Sequence, residues 1–168
     1  MNPVAGLVVE AWNDVDRVTD GLAPEDAVAN VDGQSSIAWT LGHVTEHLDR
    51  MINHSLLGRE RHSLLGVDRF RMGSEGVADE WDAIRNATHE VRDGARSYLE
   101  GITEEELDRR YEPPGSITKQ LGAVTVRYTL LRIASHHYFH VGVIACQRDL
   151  RGHSVGDYPG LLDSVNET

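Results

Sequence analysis

Residues 128–144 read Tyr128-Thr129-Leu130-Leu131-Arg132-Ile133-Ala134-Ser135-His136-His137-Tyr138-Phe139-His140-Val141-Gly142-Val143-Ile144, with no proline and a single glycine. So long a run of apolar residues without a breaker is a buried helix, and this one spends part of its interior on imidazoles. At about 100° per residue, His136 and His140 lie roughly 40° apart, beside the face that carries Val126, Leu130, Ile133 and Ile144. A His-x-x-x-His pair sets two rings one turn apart on one helical face, which is the spacing that lets both reach one metal ion. The plainer reading is a pair of core histidines donating to backbone carbonyls. His137 projects away from the pair and reads as a packing or interface residue.

The third ring has to come from elsewhere. Upstream, Trp39-Thr40-Leu41-Gly42-His43-Val44-Thr45-Glu46-His47-Leu48 is built in the same way. Ser35 or Ser36 caps that helix, and Ile37, Leu41, Val44, Leu48, Met51, Ile52 and Leu56 form one stripe as far as Gly58. His43, His47 and His54 share one side of it, and any of the three can supply the third ligand. Seven of the nine histidines fall within residues 43–62 or 136–140, a clustering that a solvated scatter does not give. The string His43-Val44-Thr45-Glu46-His47 also matches the H-x-x-E-H pattern of inverzincin peptidases, in which two histidines bind zinc and the glutamate acts as base. The match is short, and a small helical bundle has no strands to align a peptide.

Outward from these two segments the chain reads as helices. Apolar residues at Val8, Ala11, Trp12, Val15 and Val18 give a first amphipathic helix over 4–18, stopped by Asp20-Gly21. Residues 22–34 form a connector with at most a short helical turn. Residues 58–76, with three glycines, make a connection longer than bundles need, one that folds over something. The third helix is expected over 77–99, with Trp81, Ile84, Ala87, Val91, Ala95 and Leu99 inward. Thr103 with Glu106 is a capping box for a short helix through Tyr111, and Pro113-Pro114-Gly115 breaks the chain. The fourth helix is expected over 119–150, stopped by Gly152. No repeat or strand-period segment appears, so the expected class is all-α, a four-helix bundle with a short extra helix between helices three and four, forming a single domain over residues 1–168.

Composition narrows the function. A chain of 168 residues that is 40% hydrophobic can bury one compact core. Its net charge of -11 argues against a nucleic-acid partner, which needs clustered Lys and Arg. No apolar stretch approaches the roughly 20 residues of a membrane span and no signal peptide opens the chain, so a soluble cytoplasmic protein is expected. Cys146, the sole cysteine, cannot form an internal disulfide and reads as a small buried helix residue.

The helix order, the approach Ser36-Ile37-Ala38-Trp39-Thr40-Leu41-Gly42-His43 and the ending His136-x-x-x-His140-x-Gly142 together resemble the DinB/YfiT-like superfamily over nearly the whole chain. In that family one histidine of the second helix and the two of the fourth bind a divalent metal, which by position implies His43, His136 and His140, with His47 a neighbour. Family members often carry Arg and Gln where this chain has Val141 and Val143, a departure that bears on substrate contacts.

Three neutral imidazoles suit zinc or nickel and leave a fourth position open, as catalytic sites do. The resemblance implies a thiol there, because characterised relatives include S-transferases and an isomerase that use a low-molecular-weight thiol such as bacillithiol or mycothiol. The expectation is a metal-dependent transferase acting on a small-molecule thiol and an electrophilic substrate. Glu46, His47 and Arg132 are the supporting candidates: the first two as bases, and Arg132 as half of a core ion pair or as a steering charge for an anion. A metal-dependent hydrolase using bound water is the second reading, and a metal-stabilised stress or interaction module the third. Relatives are frequently dimers, so a homodimer is expected.

Overall fold

The computed structural model describes residues 1–30, 33–66 and 68–166. Four long helical segments close a ring in which α1 (Pro3–Thr19) lies along α7 (Val126–Leu150), α7 packs on α3 (Ile37–Leu48), α3 on α4 (Trp81–Gly101), and α4 returns to α1. The fold is an all-α bundle with one hydrophobic core, centred on Trp12, Leu48, Ile84, Leu99, Leu130 and Ile133. Among the described residues no helix is long and apolar enough to cross a membrane.

Local chemistry sets the helix ends. Asn2 accepts from the Val4 N–H at 3.0 Å ahead of Pro3, so α1 starts with a capped turn and a proline that has no N–H to lose. Of the two serines expected to cap the second long helix, Ser36 does so, accepting from Trp39 N–H at 3.1 Å. Its Oγ also accepts from Ala78 N–H at 3.3 Å, and its own N–H donates to the Gly76 carbonyl at 2.8 Å. Those two bonds hold residues 76–78 against the start of α3, outside any helix. The third helix therefore begins at Trp81 and not at Val77, a boundary fixed by a tertiary contact that helix propensity does not see.

The fourth helix also starts later than periodicity suggests. Residues from Lys119 belong to a separate short helix, α6 (Ser116–Leu121), which Gly122 ends with φ 67. Before it come α5 (Glu104–Asp108), capped by Thr103 as expected, and the two-residue strand β1 (Arg110–Tyr111). Strand β1 pairs antiparallel with β2 (Val124–Thr125), Arg110 facing Thr125 and Tyr111 facing Val124. Thr125 then caps α7 through Tyr128 N–H at 3.1 Å. The segment between the third and fourth long helices thus holds two short helices and a strand pair where one short helix was expected.

The connector before α3 contains one short helix, α2 (Pro24–Val28); its residues 31 and 32 lie outside the described residues. After Leu48, α3 continues as a π-helical turn, Asp49–His54, in which Ser55 N–H bonds back five residues to the Arg50 carbonyl. That turn aims the Asp49 carboxylate at His62 N–H, 2.9 Å away, and so tethers the following loop. Past α7 the chain folds back along α1. There the buried carboxylates Glu10 and Asp14 accept from the backbone N–H groups of Ser164 (2.8 Å) and Gly160 (2.9 Å). Gly6 is needed for this approach to α8 (Asp163–Asn166), because a Cβ there would stand 2.5 Å from the Ser164 carbonyl oxygen. Cys146 is exposed, not buried: α7 turns it outward on the side opposite Ile144.

Candidate metal centre

His43 projects from the middle of α3 with its geometry fixed on two sides. One turn earlier, the Trp39 indole stacks on it, centroids 4.8 Å apart and planes 8° from parallel. From the long loop, the Phe70 carbonyl lies 2.6 Å from His43 Nδ1. A carbonyl can only accept, so Nδ1 carries the proton and the Nε2 lone pair faces inward. The loop is itself pinned: Trp39 Nε1 donates to the Arg69 carbonyl at 2.5 Å and to Ser74 Oγ at 3.0 Å, while the Arg69 guanidinium forks onto Glu80 at 2.8 and 2.9 Å. What the 58–76 connection folds over is therefore the outer side of His43.

Gly42 makes this arrangement possible. A Cβ at that position would lie 2.2 Å from the Phe70 ring, which is completely buried. Gly42→Ala is expected to displace Phe70 together with the carbonyl that orients His43. Losing such a supporting bond weakens metal affinity about 10- to 100-fold, and overpacking destabilises by about 1–3 kcal/mol. Competition titration with a chromogenic chelator, together with thermal melting, measures both.

α7 supplies the other two rings. The centroids of His136 and His140 are 4.7 Å apart, and each is 5.0 Å from that of His43, with the three planes steeply inclined to one another. One ligand nitrogen from each residue lies within 4.8 Å of the other two. Tetrahedral zinc with bonds of about 2.05 Å sets its ligands roughly 3.3 Å apart, so the three nitrogens would have to draw closer than 4.8 Å to share one ion.

The hydrogen-bond inventory tests whether these residues suit a cation. His43 Nε2, His136 Nδ1 and both nitrogens of His140 are buried without any partner. Orphaned buried nitrogens cost about 1–3 kcal/mol each, and a cation shared by one lone pair from each ring would relieve part of that cost. Burial is the main cause that holds His136 down to about 2 and His140 to about 4, with neighbouring positive charge adding to it. Both rings are therefore neutral at physiological pH, the state in which imidazole ligates. The set fits a divalent metal.

The remaining titratable residues fall into different roles. His54 is exposed, bonded to the Arg59 carbonyl at 2.9 Å, and is not part of the cluster. His137 is buried, its Nδ1 donating to the Ile133 carbonyl at 2.9 Å, and burial holds its pKa to about 3. His47 stands beside the cluster with its ring centroid 4.5 Å from that of His136; its Nδ1 is buried and unpartnered, and burial above all keeps it neutral. Glu46 turns the other way. Its carboxylate accepts from Arg61 at 2.6 Å and Arg50 at 3.1 Å, which removes the base that the H-x-x-E-H pattern requires. Arg132, expected in a core ion pair, is exposed instead and has no carboxylate within 4.0 Å among the described residues. It lines a cleft of about 390 Å³ with Tyr128, Leu131, Ser135 and His136. A larger open cleft of about 880 Å³, on the loop at 68–79, touches none of the three histidines.

Two contributors escaped the sequence. Trp39 stands at stacking distance four residues before His43, a spacing visible in the chain. The Phe70 carbonyl is a backbone group and leaves no residue-type signal.

A helical bundle whose two facing helices bring three histidines together defines a class of candidate metal-binding bundles. The chain belongs to the DinB superfamily, whose family model matches residues 7–144. No curated protein matches it.

Proposed function

We propose that this protein binds a divalent metal, zinc or nickel, through His43, His136 and His140, and that it is a transferase acting on a small thiol. The closeness of three buried imidazoles, each with an unpartnered ring nitrogen, carries the reading. A cation held by these residues would supply Lewis acidity, which would let a bound thiol give up its proton near neutral pH. The protein's own contributions are distinct. The Phe70 carbonyl holds the His43 tautomer, Trp39 walls off one side of its ring, and His136 borders the cleft through which a ligand enters. His47, neutral and adjacent to His136, is the nearest base for the thiol proton. With a chlorinated aromatic as acceptor, the sulfur–carbon bond forms as the carbon–chlorine bond breaks, and chloride and a proton leave.

Hydrolysis is the weaker reading, because Glu46 is tied to two arginines and His47 would have to act on water alone. The zinc-loaded chain, given a simple thiol, bacillithiol or mycothiol with a chlorinated aromatic, is expected to release chloride above the uncatalysed rate. His43→Ala should abolish that excess. If every thiol is inert while chelation still lowers the melting temperature, the cluster serves only to tie α3 to α7.

A further inference from the structure

Fifteen arginines, sixteen basic residues less Lys119, serve a chain of net charge -11. Nine of them meet a carboxylate within 4.0 Å: Arg17, Arg50, Arg61, Arg69, Arg71, Arg92, Arg96, Arg109 and Arg127. Arg59, Arg110, Arg148 and Arg151 donate to backbone carbonyls, and Arg85 lies over the Trp81 ring. Only Arg132 has no such partner among the described residues. In so acidic a molecule an arginine finds a carboxylate readily, so one held free on the wall of the cleft that also contains His136 is a feature of that cleft.

Its neighbours give the cleft a pattern. Arg132 precedes His136 by four residues, one helical turn, which places their backbones about 6 Å apart along the axis on one side of the helix. Leu131 and the half-buried Tyr128 offer apolar surface between and beside them. Ser135 Oγ donates its hydrogen to the Leu131 carbonyl at 2.8 Å, so toward the cleft it can only accept.

We infer that this cleft takes a small ligand bearing a carboxylate, paired with the Arg132 guanidinium, whose short apolar stem lies on Leu131 and Tyr128. This rests on the proposed function above and specifies the substrate class of the same site. A guanidinium fork matches two carboxylate oxygens, so the pairing selects geometry as well as charge.

The test is calorimetric binding of hexanoate and hexanol to the zinc-loaded and the metal-free full-length chain, with Arg132→Gln and Arg132→Lys beside the wild type. Hexanoate is expected to bind at least about tenfold more tightly than hexanol to both forms of the wild type. The preference should vanish in Arg132→Gln and survive in part in Arg132→Lys, with melting temperature and zinc content unchanged because the side chain is exposed. Equal binding of the two probes overturns the inference. So does a hexanoate preference that persists in Arg132→Gln, or one seen only with zinc present, since either places the carboxylate on the cation. Chloride release from thiol and chlorinated aromatic is read separately: its absence beside an Arg132-dependent preference refutes the thiol chemistry alone, and its presence without that preference refutes the carboxylate alone.

Discussion

His140→Ala is expected to abolish stoichiometric zinc binding and yet leave the metal-free protein about as stable as before. The two halves of that result have separate causes. His140 is one of the three proposed ligands and both its nitrogens lack partners, so its removal leaves two imidazoles and affinity is expected to fall by well over the roughly 100-fold that loss of a mere supporting bond costs. A saturating ligand stabilises the fold by about 2.7 kcal/mol at a hundred times its Kd, and the variant forfeits that gain. Without metal, however, truncation removes two buried orphan groups that cost about 1–3 kcal/mol each. That relief offsets the packing lost with the ring. Thermal melting with and without zinc, alongside metal analysis after dialysis, separates the outcomes. A metal-free variant that melts far below the metal-free wild type would show His140 to be a core-packing residue.

Acid is expected to destabilise the metal-free protein steeply between about pH 6 and pH 4. His136, His137 and His140 are held in the fold to about 2, 3 and 4, in each case chiefly by burial, whereas an unfolded histidine titrates near 6.5. In that window the unfolded chain binds more protons than the folded one, so stability falls as pH falls, by about 1.4 kcal/mol per pH unit for each histidine. Three together give roughly 4 kcal/mol per unit, until His140 begins to protonate in the folded state near pH 4. Glu80, held to about 2 chiefly by its hydrogen bonds from Arg69, acts with the same sign at lower pH: its contribution is present above the unfolded carboxylate pKa and lost on acidification toward 2. Urea unfolding at pH 7, 6 and 5 measures the slope, and His136→Gln should remove about a third of it. A flat profile across that range would show that these rings titrate normally in the fold.

The all-α class, the four long helices and the His136–His140 pair were legible because each is written in local terms. Apolar spacing at 3.6 residues, Ser36 and Thr103 as caps, and a His-x-x-x-His pair on the margin of a buried face all act within a turn or two of chain. Where the reading slipped, a long-range contact overrode the local signal. Ser36 binds 76–78 outside the helix and delays α4; pairing of 110–111 with 124–125 delays α7. Glu46 looked like a base and Arg132 like an ion-pair partner because sequence shows which charges exist and not which ones meet.

The sequence by itself determined that four long helices form, which faces they bury and which imidazoles are available, since periodicity, capping and spacing are properties of the unbroken chain. The tertiary structure decided which histidine of α3 joins the pair on α7, which nitrogen of His43 keeps its proton, and which arginine stays free beside them. Each of those depends on groups far apart in the chain, the Phe70 carbonyl 27 residues from His43 and Arg61 fifteen from Glu46, whose meeting is settled only by packing.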